Sequence, residues 1–302
     1  MSAISNPARL MSSSHTRCTL YILMIGLAGI AFGLGYARSA PEVPAGKPNE
    51  VGSTIALDLG DGITLDAVLI PAGKFQMGFP GADAKDKGPE HNMVQHEVTI
   101  SKAFYVGKYE ITQEQYEKVM GNNPSVNKKP KYPIEGKLKW GDAQDFCVKV
   151  SKMTGKTVRL PTEAEWEYAS LGGSATPSKS DPTYLNEVAW WSGNAEGKSH
   201  PVGLKKPNAY GLYDMYGNVY EWCQDWLDFY PTAAVVDPQG PEKGVIAEAG
   251  HFKKGVARVM RGGCWHPGVK TSYSTLRSAH GPNSPADFIG FRVVVETTAK
   301  AP

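Results

Sequence analysis

Between residues 62 and 106, apolar and polar positions follow one another over short stretches. Residues 62–70 begin with alternation and end in an apolar run, which predicts a β-strand, and residues 71–78 predict a turn that leads into a second strand. The apolar positions at 98–100 and 104–106 predict two further short strands on either side of a turn. The pattern therefore predicts a series of short strands at the start of the folded region.

Two segments that follow have the 3.6-residue apolar period of helices, together with signals for their ends. Thr112 precedes Gln115 by three residues, a spacing at which each side chain can bond the other residue's backbone N–H, and Gly121 predicts the end of that helix. We expect Asp142 to cap a second helix that ends at Gly155. The predicted buried faces consist of Tyr116, Val119 and Met120 in the first helix and of Phe146, Cys147, Val150 and Met153 in the second.

A third helix is predicted by the same capping-box spacing at Thr162 and Glu165, with Trp166 on its apolar face. This helix carries three acidic residues, Glu163, Glu165 and Glu167. One interpretation is that they form a catalytic cluster. The other is that acids in the first turn cap the helix and interact favourably with its dipole, and we adopt this second interpretation.

From residue 170 onward, turn residues recur every few positions and no long helical period appears. The chain of 302 residues contains 33 glycines and 22 prolines, which also favours loops over long helices. Its length fits one large domain or two ordinary ones. We predict an irregular, loop-rich α+β fold in which buried Arg261 and Arg292 join loops through several hydrogen bonds each.

The first 40 residues have the pattern of an export signal. Arg9 and Arg17 precede an apolar run at 20–36, and small residues follow it. Both a cleaved signal peptide and a retained membrane anchor fit residues 1–40. The protein is therefore expected to be exported, periplasmic or extracellular, and to touch a membrane only through this segment.

Residues 41–60 are predicted to be a linker, because prolines and polar residues dominate its first part, and residues 61–297 are predicted to be the folded domain. The formal net charge is +2, and three arginines lie in the first 40 residues. The composition therefore gives no basic face for nucleic acid. We expect a monomer.

Cysteine usage gives no disulfide framework. Beyond the N-terminal segment the chain has Cys147, Cys223 and Cys264, an odd number that leaves at least one thiol unpaired. Cysteines in cores commonly act as small buried hydrophobes, and this is the plainer interpretation of all three.

Four sequence blocks carry a resemblance to a known family. They are RLPTEAEWEYA at 159–169, GLYDMYGNVYEWCQDW at 211–226, RVMRGGCW at 258–265 and GFRV at 290–293. In this order they resemble the formylglycine-generating enzymes, also called the sulfatase-modifying factor family, over residues 65–295. The resemblance implies a single compact domain with little regular secondary structure, related in fold to C-type lectins.

The resemblance also implies a calcium site in the second block. Carboxylates and backbone carbonyls in a glycine-bearing turn are the oxygen ligands that calcium prefers. The family site would use the side chains of Asp214 and Glu221 and the carbonyls of Gly217 and Val219, with a structural role. The alternative is an Asx turn at Asp214 and an ion pair at Glu221.

This chain lacks the residues that define the catalytic centre of the family. The family's oxidase binds copper(I) through two cysteines that follow the Arg-Gly-Gly motif, and these positions fall on Pro267 and Ser272. Neither side chain can replace a thiolate as a ligand of this soft ion. We therefore expect no copper centre and no formylglycine synthesis by the copper mechanism.

Four residues remain as candidates for a functional cleft: Cys264, Trp265, His266 and His280. Cys264 follows two glycines, and a partly open position near His266 would lower the pKa of its thiol and make it reactive. Trp265 is the aromatic residue that we expect to touch a ligand. The competing interpretation is that the histidines are ordinary loop residues and that Cys264 belongs to the core.

Two classes of function follow. The first is a divergent oxidative or modifying enzyme that does not use the two-cysteine copper centre, acting on an unknown protein, peptide or small molecule. The second is a non-enzymatic module that binds a protein or a glycan. Polar groups kept around Cys264, His266 and His280 would favour the enzyme, and a flat aromatic patch would favour the binding module.

Overall fold

The structure is a computed structural model that describes residues 52–82, 93–175, 181–244, 246–249, 252–269 and 274–297. The predicted signal or anchor at 1–40 and most of the predicted linker lie outside these residues. Within the part of the chain that the structure describes, no helix has the length and apolarity needed to cross a membrane.

Short strands dominate the described residues, and four helices interrupt them, which confirms the predicted α+β class. The strands are β1 (Thr54–Asp58), β2 (Thr64–Ile70), β3 (Gly73–Met77), β4 (His96–Ile100), β5 (Phe104–Gly107), β6 (Val158–Arg159), β7 (Tyr220–Trp226), β8 (Val235–Val236), β9 (Ile246–Ala249), β10 (Phe252–Val256), β11 (Arg258–Arg261), β12 (Arg277–His280), β13 (Ile289–Gly290) and β14 (Val294–Glu296). The helices are α1 (Gln113–Met120), α2 (Trp140–Thr154), α3 (Glu163–Ser170) and α4 (Pro182–Val188).

The largest sheet has five strands in the order β1-β2-β5-β14-β6, and every neighbouring pair in it is antiparallel. Val68, Val106 and Val294 lie side by side on its three central strands and are all buried. The last strand of the domain is thus inserted next to one of the first. Strand β1 falls inside residues 41–60, so that part of the predicted linker is a paired edge strand.

A second sheet positions most of the buried polar residues. Its order is β12-β11-β7-β13, with β7 between an antiparallel and a parallel neighbour. The side chains of β7 are buried at all positions except Gln224 and Trp226, which are half-buried. Because the centre of β7 is buried on both faces, its sequence is rich in aromatic residues and does not alternate between apolar and polar positions. Three further strands pair in the order β3-β4-β8, and β9 pairs with β10.

The predicted helix ends are confirmed for α1 and α3. The Thr112 hydroxyl accepts the N–H of Gln115 at 3.3 Å, the Gln115 side chain accepts the N–H of Thr112 at 2.9 Å, and Gly121 ends α1 with a φ of 81°. Thr162 and Glu165 form the same reciprocal pair at 3.1 and 2.8 Å.

Helix α2 ends at Gly155 as predicted, with a φ of 67°, but it differs from its prediction at two other positions. It begins at Trp140, so Asp142 is its third residue, and the Asp142 carboxylate accepts the N–H of Lys139 at 2.9 Å from there. Met153 was expected on the buried face, but its side chain is 49% exposed, and Val150 is the last buried apolar residue of the helix. Phe146 is fully buried and stacks on Tyr116 of α1, with ring centroids 5.8 Å apart.

Candidate functional site

Strand β7 carries Glu221 into the interior, where the carboxylate meets Arg292. The Arg292 Nε donates to Glu221 Oε2 at 2.6 Å and a terminal nitrogen donates to Oε1 at 2.7 Å, a two-point ion pair. Trp166 of α3 also donates its indole N–H to Oε2 at 2.7 Å. Arg292 reaches the carbonyls of Gly107 and Tyr213 as well, so it joins loops as predicted. The ion pair at Glu221 is therefore observed.

Two more buried carboxyl groups lie beside this pair. Asp214, at a left-handed φ of 60°, accepts the N–H of Gly203 through Oδ2 at 2.7 Å, while Oδ1 is buried with no hydrogen-bond partner among the described residues. Glu110 accepts the Asn218 side-chain amide at 2.7 Å and the Val219 N–H at 3.0 Å. We call Glu110, Asp214, Glu221 and Arg292 the acid-rich cluster.

The pKa values of the acid-rich cluster reflect its excess of carboxyl groups. Burial raises the pKa of Asp214 to about 6, and the neighbouring Glu221 adds to that shift. Burial also raises the pKa of Glu110 well above its usual value, and Asp214 and Glu221 add to it. Arg292 opposes both shifts but is a single positive charge.

Of the two predicted side-chain ligands of calcium, Asp214 has the geometry expected of a ligand and Glu221 does not. Asp214 offers a buried oxygen without a partner, as a ligand position would. Glu221 has both oxygens engaged by Arg292 and Trp166, which is the alternative to metal binding that the sequence left open. Within the described ranges, no group of three His, Cys, Asp or Glu side chains is arranged to hold a metal ion. Calcium binding stays a prediction.

The expectation of a reactive Cys264 thiol in an open cleft is wrong. Gly262 and Gly263, with φ values of 96° and 74°, turn the chain out of β11, and they direct Cys264 into the core, where it is fully buried. Burial raises the pKa of the Cys264 thiol to about 12 instead of lowering it. Cys147 and Cys223 are also free and buried, and burial raises the pKa of both thiols.

The residues around Cys264 divide between core and surface. His280, on β12, is buried, with its ring centroid 6.3 Å from that of Trp222. Trp265 and His266 are half-buried, and their ring centroids are 5.6 Å apart. Pro267, which stands where the family's first copper ligand would be, is exposed, whereas Ser272 lies outside the described residues. The four cleft candidates therefore do not line one common cleft.

Trp265 lines a small surface cavity that we call the Trp265 cleft, of about 150 Å³. The other side chains that matter in it are Glu135, Ser199, Tyr132 and Asp287. The Trp265 indole N–H donates to Glu135 Oε2 at 3.3 Å, and the Ser199 hydroxyl donates to Glu135 Oε1 at 2.7 Å. Burial raises the pKa of Glu135 to about 7, although both hydrogen bonds lower it. The aromatic ring is thus held in place by a carboxyl group at its N–H edge.

Glu135 and Ser199 were missed by sequence analysis. Glu135 follows two buried apolar residues in a proline-containing loop, and Ser199 lies outside regular secondary structure 64 residues later. No period or motif links them, so only tertiary structure brings their side chains together. The same holds for Glu110, which lies 109 residues from Val219, the residue whose N–H it accepts.

A second buried ion network is built on α3. Glu163 binds Arg277 through both oxygens at 2.8 and 2.9 Å, and it also accepts Arg261 at 3.2 Å. Glu167 pairs with Arg261 and accepts the Gly78 N–H at 2.8 Å. We call Glu163, Glu167, Arg261 and Arg277 the balanced cluster. The three glutamates of α3 therefore differ in role: Glu165 caps the helix as predicted, but Glu163 and Glu167 hold buried arginines.

The family model of the sulfatase-modifying factor enzyme 1-like domain matches residues 62–297. The chain belongs to this family. Similar proteins include the chaperone protein LppX of Paenibacillus barcinonensis, 30% identical over 76% of this chain and 89% of LppX. The formylglycine-generating enzyme of Streptomyces coelicolor is 32% identical over 57% of this chain and 55% of that enzyme. The serine/threonine-protein kinase pkn1 of Chlamydia pneumoniae is 31% identical over 76% of this chain, but this chain matches only 38% of its length.

Two solved structures share the fold of this chain. Treponema denticola variable protein 1 is 27% identical, with a TM-score of 0.68, over 81% of this chain and 99% of its own. PvdO from Pseudomonas aeruginosa is 27% identical, with a TM-score of 0.64, over 82% and 99%. The predicted fold of the formylglycine-generating enzymes is therefore confirmed.

Proposed function

We propose that this exported member of the sulfatase-modifying factor family binds a segment of another protein in the Trp265 cleft, without thiol chemistry. The observation that carries the proposal is the contrast between the two residues after the Arg-Gly-Gly motif. Cys264 is buried in the core, whereas Trp265 borders the cleft. The relative LppX, of which the match covers 89%, is named a chaperone protein, and this name also supports a binding role. Export is supported by the basic and apolar pattern at 1–40.

The cleft is built to take one side chain of a partner. A volume of about 150 Å³ is close to that of a single large side chain, and the Glu135 hydrogen bond fixes the plane of the Trp265 ring. Tryptophan and tyrosine with one polar end are common anchors at protein interfaces, because they bury a large area with few rotatable bonds. Tyr132 and Trp265 supply two such rings.

The rim of the cleft carries positive charge. Lys129 lines the cleft and Lys128 precedes it in the chain. Both are exposed and have no carboxylate partner among the described residues, and the Lys129 ammonium lies 4.5 Å from the Tyr132 ring centroid. Asp287 is the one exposed carboxylate among the lining residues, so the two lysines outnumber it. Lys198 also borders the cleft but pairs with Glu196 at 2.9 Å. Exposed charges of one sign steer partners of the opposite sign. The expected partner segment combines an aromatic or aliphatic side chain with neighbouring acidic residues.

The test is a selection of random peptides displayed on phage against the folded domain, followed by affinity measurements on synthetic peptides. We expect enriched peptides to carry an apolar anchor with flanking Asp or Glu, and Trp265→Ala to weaken their binding at least tenfold. Leu204→Ala, which changes another exposed apolar side chain, is the control and should bind as the wild type does. Peptides that bind the Trp265→Ala variant equally well would reject the proposal.

Acid–base chemistry in the same cleft is the second candidate function. A carboxyl group with a pKa of about 7, within 2.7 Å of the Ser199 hydroxyl, is suited to exchange protons near neutral pH. This is the observation that favours a modifying enzyme. If the selected peptides are altered in mass on incubation with the protein, and Glu135→Gln abolishes that change but keeps binding, the enzyme is favoured over the binding module.

Thiol labelling separates both candidates from a cysteine-based reaction. We expect iodoacetamide to leave Cys264 unmodified in the native protein and to modify it after denaturation, as mapped by mass spectrometry of tryptic peptides. The protein should likewise leave the cysteine of a sulfatase peptide unconverted in the presence of copper and oxygen. Rapid native labelling of Cys264, or conversion above a control without protein, would contradict the buried position of this thiol.

A further inference from the structure

A larger cavity, of about 420 Å³, lies where β7 ends and the segment 235–241 crosses over α3. None of the residues that line it borders the Trp265 cleft. Its wall is largely apolar, with Met77, Trp226, Phe229 and Val236 among the lining side chains, and Phe229 and Val236 are 51% and 65% exposed. Cavities of this size bind small organic molecules when a few polar groups converge inside them.

Most of the polar groups at this cavity are already paired. Arg277 is held by both oxygens of Glu163 and donates to the Asp228 carbonyl at 2.7 Å. Tyr230 donates its hydroxyl to Glu163 at 2.7 Å. The His96 Nδ1 lies 3.2 Å from the Val94 carbonyl, and burial lowers the pKa of His96, so its ring is neutral near pH 7. None of these groups needs a ligand.

Asp225 is the exception. Its side chain is only 5% exposed, and Oδ2 accepts the N–H of Glu163, the first residue of α3, at 2.8 Å. Its other oxygen, Oδ1, has no hydrogen-bond partner among the described residues and lies beside Gly240, which also lines the cavity. A carboxylate that has one hydrogen bond from the protein can accept further ones, so a ligand in the cavity has an acceptor available.

The charge around Asp225 selects the kind of ligand. The ionisable side chains that line the cavity are Glu163, Asp225, Asp228, Tyr230, His96 and Arg277, and Arg277 is paired with Glu163. Arg258, whose guanidinium packs 3.5 Å from the Trp226 ring centroid, also interacts with the charge of Asp225. No cation forms a salt bridge with Asp225 or Asp228 among the described residues. An anionic ligand would be repelled, whereas a group that carries positive charge and donates hydrogen bonds would compensate Asp225.

We propose that this cavity, the Asp225 pocket, binds a primary ammonium group on an apolar or aromatic stem. The ammonium group donates a hydrogen bond to Asp225 Oδ1, and the stem packs against Trp226 and Phe229. A free arylalkyl amine and the lysine side chain of a protein share this chemistry. The site is separate from the Trp265 cleft and does not depend on the function proposed there.

Isothermal titration at pH 8 with phenethylamine tests the pocket, and 2-phenylethanol is the matched probe without charge. We expect phenethylamine to bind at least tenfold more tightly than the alcohol, and N-acetyl-lysine methylamide to report whether a lysine side chain is accepted as well. Equal binding of phenethylamine and 2-phenylethanol, or binding of neither, would overturn the proposal.

Variants assign the binding to the pocket. Asp225→Asn keeps an oxygen for the Glu163 N–H but removes the charge, so it should weaken phenethylamine at least tenfold and leave the alcohol unaffected. Phe229→Ala, at an exposed wall position, should weaken both probes. Glu242→Gln removes an equal charge at an exposed neighbouring position and is the control. Melting curves of each variant show whether it is folded, and wild-type affinity in folded Asp225→Asn would reject the assignment.

The pH dependence of binding gives an independent readout. Burial and the neighbouring Glu163 raise the pKa of Asp225 to about 7, so the carboxylate that receives the amine is mostly protonated at pH 6 and mostly ionised at pH 8. Because only the ionised fraction binds, the affinity for phenethylamine should rise about tenfold from pH 6 to pH 8. An affinity that is constant over this range would contradict the role of Asp225.

Discussion

The two buried ion clusters of this fold share a helix but differ in their charge balance. In the balanced cluster, Glu163 and Glu167 face two arginines, Arg261 and Arg277. In the acid-rich cluster, Glu110, Asp214 and Glu221 share Arg292 alone. Helix α3 contributes the glutamates of the first cluster and, through the Trp166 indole, a hydrogen bond to Glu221 of the second.

The difference decides how each cluster is kept neutral. Buried charges are tolerated when they are paired and hydrogen-bonded, and the balanced cluster meets this condition with protein groups alone. Burial would raise the pKa of Glu163, but Arg277 and Arg261 outweigh it and lower this pKa. The acid-rich cluster has carboxyl groups in excess, so it must hold protons or a bound cation. It is therefore the more sensitive of the two to its surroundings.

Replacing the arginines gives the largest effect and the sharpest contrast. Arg292→Met removes the only positive charge of the acid-rich cluster and two loop contacts, so we expect the free energy of unfolding to fall by about 3–5 kcal/mol. Arg261→Met should cost less, because it leaves one carboxylate, Glu167, without a cation while Arg277 still pairs with Glu163, whereas Arg292→Met leaves three carboxyl groups without one. Urea denaturation followed by tryptophan fluorescence measures both. A larger loss in Arg261→Met than in Arg292→Met would overturn the comparison.

The two clusters also show how far the sequence could predict the structure. The capping boxes at Thr112 and Thr162 and the strands β2 to β5 follow from local patterns, and each was predicted because its signal spans only a few residues. Arg261 and Arg292 were predicted as buried, but their partners were not. Glu163 and Arg277 are 114 residues apart, and no local pattern encodes such a pairing.

The errors in the site have the same physical origin. The two glycines before Cys264 indicated open space beside the thiol. Their left-handed backbone instead turns the Cys264 side chain into the core. The direction of a side chain after such a turn depends on the backbone angles of the turn. In both the Trp265 cleft and the Asp225 pocket, the polar groups come from segments that are distant in sequence. The aromatic residue at Trp265 was identified, whereas Glu135, Ser199 and the role of Asp225 required the assembled fold.

Calcium is a direct way to test what neutralises the acid-rich cluster. We expect calcium to raise the melting temperature at pH 7.5 relative to excess EDTA, because a cation bound at Asp214 would compensate the surplus carboxylates. At 100 times its dissociation constant, such a ligand adds about 2.7 kcal/mol to the free energy of unfolding. Asp214→Asn should abolish the shift. An unchanged melting temperature, with no calcium in elemental analysis, would leave protons as the neutralising species.

The pH dependence of stability isolates the protons. In the folded state the pKa of Asp214 is about 6, above the usual 3.8, so the folded protein holds this proton more tightly than the unfolded chain does. In the absence of calcium, the resulting contribution to the free energy of unfolding is present at low pH and is lost as pH rises from about 4 to 6. Its size is on the order of 3 kcal/mol.

The measurement compares wild type with Asp214→Asn in EDTA by urea denaturation at several pH values. Other buried carboxyl groups, Glu135 and Asp225 among them, also have raised pKa values and affect both proteins equally. Between about pH 4 and 6, the free energy of unfolding of wild type should therefore fall relative to that of Asp214→Asn, and outside this range the difference should stay constant. Parallel curves across this range would show that Asp214 is not protonated in the fold.

The smallest effect is expected in the balanced cluster, where hydrogen bonds are redundant. Tyr230→Phe removes one hydroxyl that donates to Glu163, but Glu163 keeps both bonds to Arg277 and one to Arg261. Because the carboxylate stays paired, the free energy of unfolding should fall by only about 1.5 kcal/mol, the lower end for a bond to a charged group. Urea denaturation of this variant beside Arg261→Met measures it, and a loss as large as that of Arg261→Met would mean that the hydroxyl, rather than the arginines, holds the cluster together.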